Sequence, residues 1–152
     1  MKKLLLLLFL IPQLASAEEK MIPVSGYIDT HPKWQSSLYE TFYVAMRCGF
    51  SYLEAAKVMK DDAVVSSSLD YMATIFLRHT GKHLDAALLK KRIILHSTES
   101  LGEEIDHISA FYKQEVPASY NGKDWFNGIV GEDMSTCESH YEFFEGLIKG
   151  SS

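Results

Sequence analysis

The chain has little of several things. Two cysteines, Cys48 and Cys137, and four prolines occur in 152 residues. With so few thiols there is no Cys-x-x-Cys pair, which excludes a thioredoxin-type dithiol and covalent haem attachment. No Gly-x-Ser-x-Gly elbow occurs and no glycine-rich loop opens a helix, so neither a hydrolase nucleophile nor a phosphate cradle is indicated. Alternation at period two, internal repeats and low-complexity tracts beyond the leader are also missing, which argues against a sheet or a solenoid. Basic residues cluster once, at Lys90, Lys91 and Arg92. That cluster reads as the solvated side of a helix, and it falls short of the basic face that a nucleic-acid partner requires.

What is present begins with the leader. Lys2 and Lys3 precede the apolar run LLLLLFLI, and ASA at 15–17 supplies small residues where a signal peptidase cuts. Residues 1–17 are therefore read as a signal peptide, with the protein periplasmic or secreted. The run is well short of the roughly 20 residues that cross a bilayer, and Pro12 and Gln13 interrupt it, so no membrane span is expected after cleavage. Cleavage moves the formal charge from −5 to −7, because two lysines leave and no acid does. The 152 residues less the 17 of the leader leave 135, the size of one ordinary domain able to bury a sizeable core.

Residues 18–32 mix charges with Pro23, Gly26 and Pro32 and read as an extended amino-terminal arm; residues 33–150 read as one helical domain. Trp34, Leu38, Phe42, Ala45, Gly49, Tyr52, Ala56 and Met59 recur at steps of three and four, predicting a helix from Lys33 with Pro32 in its first turn. A second helix is predicted over 63–80, capped by Asp62 and stopped by Gly81, with Val65, Leu69, Met72, Ile75, Phe76 and Leu77 inward. A third region runs from His83 to about Glu115, where Pro117 should end it, with a candidate break at 96–100. Residues 117–131 form the main irregular connection. A last helix, from about Glu132, carries Met134, Cys137, Tyr141, Phe144 and Ile148 along one face. The fold class is all-α, a small bundle of four or five helices.

Cys48 lies beside the apolar stripe of the first helix and Cys137 within that of the last. In an exported chain this pattern predicts one disulfide tying the first helix to the last.

The chemistry-bearing residues converge weakly. His96, Glu99, Glu103 and His107 are spaced by three, four and four, so they line one helical face able to ligate a metal ion or offer a general base. Glu104 and His107 form a single Glu-x-x-His pair. A di-metal bundle needs a second copy, and Glu138 with His140 has the wrong spacing. The prevailing reading of this face is a solvated, charged surface, and no cofactor is assigned.

Aromatic residues exceed what the inward stripes accommodate. Tyr39, Tyr43, Tyr141 and Phe143, flanked by Glu138 and Glu142, are expected on an acidic aromatic surface of the kind that binds other proteins. The layout of signal peptide, short helical body and two distant cysteines resembles that of small periplasmic immunity proteins that neutralise secreted cell-wall amidases; it covers layout alone. The resemblance implies inhibition of a toxin as one form of protein binding. The expectation is a non-enzymatic module with a protein partner in the cell envelope; the alternative is a metal- or small-ligand-binding protein using the His/Glu face.

Overall fold

A computed structural model describes residues 21–93, 101–120, 122 and 126–150, with backbone alone over 81–93. The signal peptide read over 1–17 lies outside the described residues, as do His96, Glu99 and the candidate break at 96–100. Among the described residues the fold is all-α, with six α-helices and one 3-10 turn. They are α1 (Val24–Thr30), the 3-10 turn Trp34–Ser36, α2 (Leu38–Val58), α3 (Ala63–Ile93), α4 (Leu101–Ser119), α5 (Gly128–Ser139) and α6 (Tyr141–Lys149). The only β pairing among these residues is an isolated bridge between Tyr120 and Phe126.

α2 is the axis. Its buried residues run round almost its whole circumference, from Tyr39, Phe42 and Ala45 to Met46, Cys48, Tyr52 and Ala55. A helix apolar on every side must be enclosed by others, and α3, α4, α5 and the 3-10 turn all pack on it. Its seam with α3 is tight because Gly49 has no side chain; a Cβ there would come within 2.6 Å of Leu77. Asp62 caps α3 as expected, its Oδ1 accepting from the amides of Val64 and Val65 at 3.1 Å each.

Six boundaries depart from the sequence reading, one of them the start of α5 at Gly128, inside the segment 117–131 read as irregular. Within the segment read as an extended arm, Val24–Thr30 is helical and Val24 is fully buried. The first helix does not start at Lys33. Ser37 is extended and separates the 3-10 turn from α2, which lets Trp34 reach His140 and Phe143 at ring distances of 5.1 and 5.5 Å. α3 continues through Gly81 to Ile93. One helical glycine costs about 1 kcal/mol, too little to end a long helix on its own.

α4 runs past Pro117 to Ser119. A proline in the last turn removes one hydrogen bond; Val116 is fully buried and the Ser119 hydroxyl donates to its carbonyl at 2.9 Å. The last helix is two helices, broken at His140. The break follows from a change of partner. α5 packs on α1, α2 and α4, whereas α6 packs on α3, with Phe144 edge-on to Phe76 at 5.0 Å. Burial lowers the His140 pKa at this corner. The helix count thus exceeds the expected four or five.

Cys48 and Cys137 form the predicted disulfide, with Cα atoms 5.6 Å apart and a sequence separation of 89. It joins α2 to α5, and both cysteines are buried. A closed loop of this length corresponds to roughly 4 to 5 kcal/mol in the chain-entropy model. The double variant Cys48→Ala with Cys137→Ala should therefore lose about 3 to 5 kcal/mol in urea unfolding, with the far-ultraviolet spectrum retained. A loss under about 1 kcal/mol would show that packing alone holds α5 on α2.

Candidate functional site

The densest polar cluster lies in the core, one turn of α5 away from the disulfide. Arg47 and Asp133 are each 0% exposed. The Arg47 guanidinium donates from Nη2 to Asp133 Oδ2 at 2.6 Å, from Nε to the Tyr112 hydroxyl at 3.1 Å, and from Nη1 to the Ile22 carbonyl at 2.6 Å. Tyr112, from α4, donates its hydroxyl to the same Asp133 oxygen. The remaining oxygen, Oδ1, accepts from the Val24 amide at 2.7 Å. Pro23, the residue at the cap position of α1, makes no side-chain capping bond, so Asp133 caps that helix from across the core.

A carboxylate and a guanidinium taken out of water are stable only when nearly every donor and acceptor is matched. Here they are. Burial pushes the Asp133 carboxyl above its ordinary value, against the opposing pull of Arg47, Tyr112 and the Val24 amide. Burial also works against the Arg47 charge, but Tyr112, Asp133 and Tyr43 outweigh it and keep the guanidinium ionised. Closed on every side, the cluster offers no open position to a ligand.

An accessible feature lies on the other side of α5. α3 and α5 both pack on α2 but scarcely on each other, leaving a groove of about 270 Å³. Tyr52 of α2 forms the floor and donates its hydroxyl to the Met134 carbonyl at 2.9 Å. Leu69 and Met72 form one wall, and Gly131, Met134, Ser135 and Glu138 form the other. Phe126 also lines it. Glu138 is exposed at the edge. Tyr71, 56% exposed on α3, hydrogen-bonds with Tyr141 of α6. Burial, then that bond and the nearby Glu145 charge, push the Tyr141 phenol up to about 12, so it is neutral at physiological pH.

Compared with family models, curated proteins and solved structures, the chain has no match. Its site is therefore read from its own residues.

The expected acidic aromatic surface divides. Tyr39 is a correction: it is buried and donates to Glu104 Oε1 at 2.6 Å, because α4 covers the side of α2 that a single stripe leaves to solvent. Tyr43 is half-buried, its ring 4.4 Å from that of Tyr27 in α1. Phe143 is half-buried against Trp34. Glu138 and Glu142 are exposed and Tyr141 is half-buried. Of the metal-ligating candidates, Glu103 and His107 lie exposed on α4, and no group of three or more potential ligands gathers among the described residues.

The sequence reading missed Arg47, Tyr112 and Asp133 as a unit. The signal was there. Arg47 interrupts the apolar stretch VAMRCGF beside Cys48, and Asp133 precedes Cys137 by one helical turn.

Asp133→Asn strands the Arg47 charge in the core and should cost about 3 to 5 kcal/mol in urea unfolding. In hydrogen exchange, the Val24 amide should lose protection before the central amides of α2. A loss below about 1 kcal/mol with Val24 still protected would remove the cluster from its organising role.

Proposed function

We propose that this is an exported, non-enzymatic helical protein that acts by binding another protein through the groove between α3 and α5 and its acidic edge at Glu138. An inhibitor or immunity protein would work in this way. The observation that carries the reading is an open apolar groove, lined by Tyr52, Met72, Phe126 and Met134, with exposed Glu138 at its edge. Aromatic anchors with a polar surround are the composition of protein-binding hot spots. The Cys48–Cys137 disulfide supports an oxidising compartment, in line with the leader at 1–17. No helix among the described residues is long and apolar enough to cross a membrane. The non-enzymatic part is supported by the Arg47–Tyr112–Asp133 cluster, whose polar atoms are engaged internally and out of reach of substrate.

A photo-crosslinking amino acid at exposed Ser135, in protein expressed with its leader, tests the reading. A discrete protein adduct is expected from Ser135, absent when the same group replaces Asp106 on the exposed side of α4, and lost when Met72→Ala and Glu138→Lys are added. Identical adducts from both positions, or adducts to lipid alone, would contradict it.

A further inference from the structure

The walls of the groove indicate what kind of partner fits. Glu138 is the one charged residue among the described residues that line the groove, and none of them is basic. Asp133, on the same helix, is turned into the core and paired with Arg47, while Glu138 remains exposed. An apolar slot whose one charged lining residue is acidic favours the opposite sign in its occupant.

The backbone decides the occupant's conformation. Apart from Phe126, the described lining belongs to helices, whose amides and carbonyls are already bonded within each helix. An extended segment lying there would leave its own peptide groups without partners against apolar side chains. A helix satisfies its own. The wall residues Gly131, Met134, Ser135 and Glu138 follow the i, i+3, i+4, i+7 spacing of a full helical face, and Leu69 and Met72 face them at i, i+3. Ser135 is small and exposed and keeps the middle of that face low, while at Gly131 the space a Cβ would fill is taken by the Phe126 carbonyl. Met72 and Met134 are unbranched and adapt to the shape of what enters. The volume, about 270 Å³, is below the range of about 300 to 1,000 Å³ typical of pockets that enclose small molecules. It suits one or two anchoring side chains of a larger partner.

We infer that the groove between α3 and α5 docks a basic amphipathic helix of a partner protein, with apolar anchors between Met72 and Met134 and lysine or arginine against Glu138. This rests on the protein-binding reading above and names the chemistry of the partner. The mode is helix-in-groove recognition with an electrostatic rim.

The test titrates the full, disulfide-intact protein, carrying methyl-labelled methionines, with designed peptides. One is helical with leucines at i, i+3, i+4 and i+7 and lysines elsewhere; the second has the same composition scrambled; the third has glutamate for lysine. The basic helix should shift the Met72 and Met134 methyls and leave that of Met46 in place. Glu138→Lys should weaken that binding by about fivefold or more, and added salt should weaken it further. Equal binding of the scrambled or acidic peptide, or no effect of Glu138→Lys, would overturn the inference.

The Ser135 crosslink separates the two levels. A protein adduct whose attached segment is a lysine- or arginine-bearing amphipathic helix supports both. A protein adduct through an acidic or extended segment overturns the inference and leaves the protein-binding reading standing. Crosslinks to lipid alone overturn both, and a crosslink to a second copy of this chain overturns the basic-helix assignment.

Discussion

The Arg47–Asp133 pair is the constraint from which the rest of the arrangement follows. Both side chains are wholly buried, and a buried charge tolerates no loose end. Arg47 must find acceptors for a fork of donors, and it takes them from α5, from α4 and from the Ile22 carbonyl. Asp133 must be surrounded by donors, and it draws in the Tyr112 hydroxyl and the Val24 amide. Four helices and the chain just before α1 are thereby brought to one point. The disulfide lies beside it, because Cys48 follows Arg47 directly and Cys137 comes one turn after Asp133. The covalent bond limits how far α5 can leave α2. The ion pair sets the rotation in which it returns.

That rotation shapes the surface. With Asp133 and Cys137 turned inward, residues one or two positions away, Gly131, Ser135 and Glu138, face the gap left beside α3. The groove is therefore the outer consequence of the inner network. The polar chemistry of the described residues is divided accordingly: the interior cluster is sealed and structural, while exposed Glu138 borders the open slot. Our functional proposals take the second part as the working surface.

Much of the bundle was legible in the residues. Steps of three and four in 38–58 and 63–77 mark two long helices, Asp62 marks a cap, and two cysteines on inward stripes mark their bond. What escaped did so for physical reasons. α1 is seven residues long, too short to declare itself by periodicity, and an acid from a distant helix supplies its cap. Gly81 and Pro117 are helix breakers by propensity, yet helix continues through both. The break at His140 has no local marker, because it arises where α5 and α6 exchange one packing partner for another. Tyr39 falls outside the single stripe that the spacing of α2 displays, yet the helix is enclosed nearly all round and buries it. The groove was only partly visible: Glu138 marks an acidic surface in the sequence, whereas Tyr52, Met72 and Ser135 join it only once the helices are placed.

The most direct test of this account is a double-mutant cycle in urea between Arg47→Met and Asp133→Leu in the disulfide-intact protein. If the pair organises the core, each single change strands its partner and costs about 3 to 5 kcal/mol, while the double change costs less than their sum by at least about 2 kcal/mol. Costs that add to within about 0.5 kcal/mol would mean that the two residues act independently, and the core would have to be explained without them.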